Sequence, residues 1–237
     1  MIAILLIAGL IVPAYSCGEI ALEFRDDVSG TFNDISGTGN FVNLSDDGER
    51  TRYSSVLGRD FRIGNNGGVG LTSNGNLSWL NTGLPSGRVF GGNVEAFLPF
   101  WDDLDSESGG VYWQDVGDRL VVQWDDLNHY PGTNVNEGIT FQAQIFKSAA
   151  DAVGGDIVAQ FLYTDTAFAP SQSIWNGGSS ATVGYQGTAN NSMSWSINQA
   201  VLSAGTVITL RAVIPEPSSL WMMGIAGLFL TKRRRHV

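Results

Sequence analysis

The densest run of side chains able to do chemistry is Asp102-Asp103-Leu104-Asp105-Ser106-Glu107-Ser108-Gly109. Calcium takes about six to eight oxygens from a short loop that glycine permits, and Asp102, Asp103, Asp105 and Glu107 offer carboxylates ahead of Gly109. The loop is a partial imitation: a helix-loop-helix calcium site counted from Asp103 needs glycine where Ser108 stands and an acid where Gln114 stands. Two readings remain. One is a calcium site, which Asp125 and Asp126 could complete if two hairpins lie side by side. The other is a solvated turn whose aspartates cap backbone amides.

Catalytic constellations are thinner. A glycosidase needs two carboxylates in a cleft, and in a chain with 23 acidic residues some pair always meets that spacing, so the pattern does not discriminate. For nucleophilic hydrolysis the parts are scarce. His129 is the one histidine ahead of the C-terminal tail, Cys17 is the one cysteine, and no G-x-S-x-G elbow occurs. His129 lies in Leu127-Asn128-His129-Tyr130-Pro131-Gly132, whose Pro-Gly marks a turn, so an exposed loop histidine is expected. The chain reads as non-enzymatic, with glycoside hydrolysis as a weaker alternative. Aromatic side chains offer a different chemistry, stacking on sugar rings. Trp124 and Trp195 fall in phase with aliphatic neighbours and read as core, whereas Trp79, Tyr130, Trp175 and Tyr185 fall in or near loops.

The elements that must position these groups are strands. Period-two alternation runs through Arg119 to Asp125, with Leu120, Val122 and Trp124 opposite Val121 and Gln123. It recurs in Ile139 to Phe146, where Ile139, Phe141, Ala143 and Ile145 oppose Thr140, Gln142 and Gln144, predicting one buried face and one wetted face. Ile157 to Tyr163 and Ser192 to Asn198 repeat it, and further strands fit Val69 to Ser73, Leu77 to Leu80, Val94 to Phe100, Val111 to Asp115, Ala181 to Gln186 and Thr206 to Val213. Ser45-Asp46-Asp47-Gly48 and Gly64-Asn65-Asn66-Gly67-Gly68 punctuate them as turns. Thirty glycines, seven tryptophans, twelve phenylalanines and only 15% charged residues agree with strands and turns rather than helices. The expected fold is all-β: an antiparallel β-sandwich of jelly-roll type, flanked by an N-terminal signal segment and a C-terminal hydrophobic helix.

Those flanks set the domain boundaries. Ile2 to Val12 is an apolar run followed by Pro13 and Ala14-Tyr15-Ser16, a small-x-small pattern that predicts a signal peptide over 1–16 cleaved after Ser16. No lysine or arginine precedes the run. Cys17, directly after it, also admits a lipoprotein reading, against which Tyr15 and Ala14 count. The β-sandwich domain is expected over 17–214. Over 215–237, Pro215-Glu216-Pro217 breaks structure, Leu220 to Leu230 is apolar, and Lys232, Arg233, Arg234 and Arg235 form a cationic stop of the kind that stays cytoplasmic. As a helix the apolar run would span roughly 17 Å of a hydrocarbon core about 30 Å thick, which suits transient rather than permanent anchoring. Outside the tail, nine basic side chains face 22 acidic ones, a balance of −13 that repels phosphate backbones. Nucleic acid is therefore not an expected partner, while cations and neutral sugars are compatible.

The order Pro215-Glu216-Pro217, apolar segment, terminal arginines resembles the PEP-CTERM sorting signal of Gram-negative bacteria. That resemblance implies processing by an exosortase, transient residence in the inner membrane, and delivery to the cell surface or an exopolysaccharide matrix. Three blocks of the body resemble nidogen-like (NIDO) and related choice-of-anchor extracellular β-sandwiches: Thr72 to Trp79 with its Ser-Asn-Gly core, Phe97 to Asp105 leading into Gly109-Gly110-Val111-Tyr112-Trp113, and Thr140 to Phe146 followed by Gln160 to Tyr163 and Val183-Gly184-Tyr185. The aromatic-aromatic-Gly strand that often precedes the Ser-Asn-Gly block is reduced to Phe61-Arg62-Ile63-Gly64. This resemblance implies a structural or adhesive module of the surface or matrix, with no catalytic residues to carry over. A carbohydrate-binding module, with or without calcium, is the alternative. Ice binding, which some proteins with a similar tail show, finds no regular threonine ladder: Thr72, Thr82, Thr133, Thr140, Thr164, Thr166 and Thr182 fall at uneven intervals.

Overall fold

The computed structural model describes residues 21–45, 48–71, 95–106, 109–131, 137–149, 155–187 and 192–213. The strands are β1 (Ala21–Arg25), β2 (Asn40–Val42), β3 (Glu49–Ser54), β4 (Arg59–Gly64), β5 (Val69–Leu71), β6 (Glu95–Trp101), β7 (Leu104–Asp105), β8 (Gly110–Val116), β9 (Arg119–His129), β10 (Ile139–Phe146), β11 (Ile157–Asp165), β12 (Thr182–Gln186), β13 (Ser192–Ile197) and β14 (Val207–Val213). One sheet runs β1-β14-β11-β10-β9-β8-β2, with β7 added on β9, and the other runs β13-β12-β6-β5-β4-β3. Every pairing is antiparallel. The all-β sandwich expected from the alternation is the fold observed. Among the described strands each sheet contains a meander of four successive ones, β8 to β11 in one and β3 to β6 in the other. The reduced aromatic strand survives as β4, paired with β3 on one side and β5 on the other. The expected strand at Leu77 to Leu80, the signal segment and the C-terminal helix lie outside the described residues.

The core is the apolar face of each strand. Leu120, Val122, Trp124, Phe141, Ala143, Ile145, Phe161 and Ile208 are fully buried from the first sheet against Phe61, Ile63, Phe97, Phe100 and Val183 of the second. Trp124 stacks on Phe141 with ring centroids 4.9 Å apart, and its indole N–H donates to the Gly64 carbonyl of the opposite sheet at 3.0 Å. The Tyr163 hydroxyl donates to the Pro99 carbonyl of that same sheet. These two bonds satisfy the polar ends of large aromatics inside an apolar layer and join the sheets at fixed points. Gly67 makes the β4–β5 turn close: its φ is +75°, and a Cβ there would lie 2.0 Å from the Phe100 carbonyl oxygen.

The opposite face departs from expectation. Gln123, Gln142 and Gln144, predicted to be wetted, are at most 1% exposed, and Gln160 is 3% exposed. Residues 29–36 run extended over this face as a strap and are hydrogen-bonded by the glutamine side chains rather than by a neighbouring strand. Gln160 Nε2 donates to the Ser29 carbonyl (3.2 Å) and Gln144 Nε2 to that of Thr31 (2.9 Å). Gln142 accepts from the Asn33 amide (3.1 Å) while donating to the Asn33 carbonyl, and Gln123 Oε1 accepts from the Ile35 amide (2.8 Å). Alternate strap residues thus meet successive glutamines across β11, β10 and β9. Gly30 lets the strap lie this close: a Cβ there would sit 3.0 Å from Val207 and 3.1 Å from both Gln160 and Leu162.

Each buried backbone group left unpaired costs about 1–3 kcal/mol. Asn33 is an exposed residue, so Gln142→Ala trades its two backbone bonds for bonds to water, and urea unfolding is expected to register a loss of about 1 kcal/mol. Amide exchange at Asn33 and Ile35 should accelerate ahead of the core strands. Unchanged exchange at these two amides would refute the ladder's role.

Candidate functional site

The acidic run assembles a buried junction where β6, β7 and β9 meet. Asp102 follows directly on β6, its amide donates to the Asn66 carbonyl of the β4–β5 turn (3.2 Å), and its carbonyl accepts from the Leu104 amide (3.1 Å). This tight turn feeds β7, which pairs Leu104 with His129 and Asp105 with Asn128 at the end of β9. Asn65 Nδ2 donates to the Leu104 carbonyl at 2.5 Å, and the Tyr130 amide to that of Asp103 at 2.8 Å. The Phe97-to-Asp105 block therefore crosses from one sheet to the other and is fastened at both sides.

Asp102 is 7% exposed and its carboxylate is taken up inside the protein. Oδ2 accepts from the Ser180 hydroxyl at 2.5 Å, and Oδ1 accepts from the Asp103 amide at 2.9 Å and faces His129 Nε2 at 3.4 Å. His129 is 7% exposed, so the expected exposed loop histidine is instead buried in a strand. The reason is that β9 runs on to His129 past a slip of phase at Asp126, whose φ is +57° and beyond which Leu127 is the buried residue, before the turn that Pro131 marks. The imidazole stacks on Trp175 with ring centres 3.9 Å apart and planes 3° from parallel, and meets the Phe168 ring edge-on at 5.9 Å. Nδ1 lies 2.7 Å from the Tyr130 carbonyl, an acceptor, so Nδ1 carries a proton. Gln172 Nε2 donates to the His129 carbonyl (2.6 Å) and to that of Pro131 (3.2 Å), pinning the 3-10 segment Pro170–Gly178 over the end of β9.

Burial opposes charge on His129, but the Asp102 carboxylate and the Tyr130 carbonyl outweigh it and hold the imidazole above its ordinary pKa. Serine, aspartate and histidine thus meet, with aspartate in the middle: Ser180 donates to Asp102, and His129 faces the same carboxylate from the other side. A serine hydrolase of the triad type needs the hydroxyl hydrogen-bonded to the imidazole. This arrangement fixes geometry and holds a proton.

The other candidate residues separate. Asp105 is 5% exposed within the β7–β9 pairing, and Glu107 lies outside the described residues. Asp125 Oδ1 accepts from Gln123 Nε2 at 3.3 Å, and Asp126 Oδ1 accepts from the Gly138 amide at 2.7 Å. Among the described residues no group of three or more histidine, cysteine or acidic side chains is placed to hold a metal ion. Of the aromatics expected near loops, Tyr130 is 46% exposed, whereas Trp175 packs on His129 and Tyr185 donates to Glu95 Oε1 at 3.1 Å. Burial raises the Glu95 carboxyl above its ordinary pKa, against the Tyr185 hydrogen bond and nearby Arg59. Trp79 lies outside the described residues. Trp124 is core, as its phase predicts, but Trp195 is only partly buried, because β13 is the outermost strand of its sheet.

A family model described as NIDO related matches residues 25–217, and one for the PEP-CTERM protein-sorting motif matches residues 213–235. The chain belongs to the NIDO-related family. Its tail carries the PEP-CTERM motif, which marks it as an exported, exosortase-sorted surface protein, anchored transiently in the membrane before sorting. No curated protein and no solved structure matches the chain. Among the described residues no helix is long and apolar enough to cross a membrane; the apolar tail segment lies outside them.

The raised imidazole pKa fixes a sign. Because the folded value lies above the unfolded one of about 6.5, the Asp102–His129 contribution to stability is complete below that pH and is lost as pH rises through the folded value. Urea unfolding from pH 5.5 to 9 should show the difference between wild type and Asp102→Asn shrinking toward high pH. A difference constant across that range would mean that the pair does not titrate.

Proposed function

We propose that the protein is a non-catalytic structural or adhesive component of the bacterial surface or exopolysaccharide matrix. The supporting observation is the coincidence of the sandwich's edge with the start of its sorting device. β14 ends at Val213, paired there with Ala21 of β1, and Pro215-Glu216-Pro217 begins two residues later. The folded body therefore reaches the processing motif with almost no spacer, and both ends of the chain leave the sandwich from one corner of one sheet. Such a body stands close to the membrane while anchored.

The strongly acidic body and the fully engaged Asp102 and His129 side chains agree with a role in packing and contact rather than bond cleavage. The cationic stop at Lys232, Arg233, Arg234 and Arg235 would hold the tail against the cytoplasmic side until the exosortase acts.

Replacing both Pro215 and Pro217 with alanine is expected to leave the uncut, full-length chain in the inner-membrane fraction and to deplete it from the surface, as read by fractionation and immunoblot. Normal surface delivery of that variant would overturn the sorting reading. Loss of matrix cohesion on deleting the wild-type protein, restored by resupplying it, tests the adhesive role separately.

A further inference from the structure

The sandwich has an open lateral edge where the rim of one sheet meets the rim of the other. There a cleft of about 600 Å3 lies between the chain leaving β1 and the turn that enters β14, with Trp195 of the edge strand β13 in its wall. That volume falls within the range of small-ligand sites, roughly 300–1,000 Å3. Its lining residues include the apolar Trp195 and Val201 and the polar Asp26 and Ser29. We propose that this cleft binds a neutral pyranose unit of a polysaccharide, with Trp195 as the apolar wall and Asp26 and Ser29 as hydrogen-bonding partners for ring hydroxyls.

Three features select that class. A sugar ring is amphipathic, with C–H groups that pack on an aromatic surface and hydroxyls that need acceptors, and this lining places both kinds of partner around one space. The polar groups are also available. Asp27 is engaged by Arg25 at 2.5 Å, whereas among the described residues Asp26 and Ser29 keep the carboxylate and hydroxyl free of protein hydrogen bonds. Finally, the charge is selective: with nine basic against 22 acidic side chains ahead of the tail, and carboxylates at the cleft itself, uronic-acid and sulfated chains are repelled.

The walls are also held in place. The Ser29 carbonyl is tied to Gln160, and the turn opposite is closed by Ser203 and Thr206, whose amide-to-hydroxyl bond is 3.1 Å. The cleft is therefore set by the same ladder that fixes the strap, and little ordering remains for a ligand to impose.

This inference rests on the adhesive reading and gives it a ligand. Full-length protein in mild detergent is tested on an array of neutral, amino and uronic-acid oligosaccharides, and hits are titrated by calorimetry. Saturable binding of neutral glycans is expected, about tenfold weaker in Asp26→Asn and about thirtyfold weaker in Trp195→Ala, with Trp195→Phe retaining most affinity. Trp195 also packs on the core, so the exposed Asp26→Asn decides the outcome if Trp195→Ala misfolds. Glycan binding untouched by these substitutions would overturn the cleft while leaving the adhesive role standing. No glycan binding at all would overturn the sugar assignment, with the matrix-cohesion assay judging the adhesive role independently. Tighter binding of uronic-acid chains than neutral ones would overturn the charge argument and with it the ligand class.

Discussion

Amide hydrogen bonds from four glutamines hold a piece of extended chain against a sheet face, and much else in this molecule depends on them. A strand covered by another sheet needs only apolar side chains on its inner face. A face covered by bare backbone must satisfy that backbone's N–H and C=O groups, since each one buried unpaired is costly. Gln123, Gln142, Gln144 and Gln160 meet this demand because a primary amide carries a donor and an acceptor and so imitates a neighbouring peptide. They also bond to one another: Gln142 donates to Gln123 at 2.8 Å and Gln144 to Gln142 at 3.2 Å. A hydrophobic residue at any of these positions would bury as well and would leave the strap residue it faces without that partner.

The acidic turn solves a related problem at the other end of β9. Where the chain passes from one sheet to the other, Asp102 collects a serine, an amide and an imidazole, and the imidazole in turn supports a tryptophan from the 3-10 segment. Three separate stretches of chain meet around one carboxylate. A buried charge is tolerable only when paired and hydrogen-bonded, and this one is both. A cluster of acids can thus look like a cation site in the sequence and still be a joint in the structure.

How far the sequence could be read follows from what period-two alternation reports. It tells which residues share a side, and so Leu120, Val122, Trp124, Phe141 and Ile145 were legible as core, and the strands carrying them with it. It does not tell what lies over the other side. Gln123, Gln142 and Gln144 looked wetted because the strap that covers them comes 88 to 113 residues earlier and shows no alternation of its own. Pro131 obscured His129 by placing a turn signal two residues past the true end of the strand. Trp195 kept the phase of a core residue on a strand that proved to be an edge, where phase no longer guarantees cover. A run of glutamines on one face of adjacent strands was the available clue: an amide at a repeated sheet position is an unusual way to meet solvent and a suitable way to meet a peptide.

The wide separation along the chain between strap and ladder bears on how an exported protein of this kind matures. A secreted polypeptide arrives N-terminus first, so residues 29–36 reach the far side of the membrane well before the glutamines that receive them, which follow 88 to 131 residues later. The earliest part to arrive is among the last able to settle, and docking must await delivery of most of the polypeptide. Until then the strap has no glutamines to dock on. The fold itself awaits β14, which ends at Val213, two residues ahead of the sorting motif.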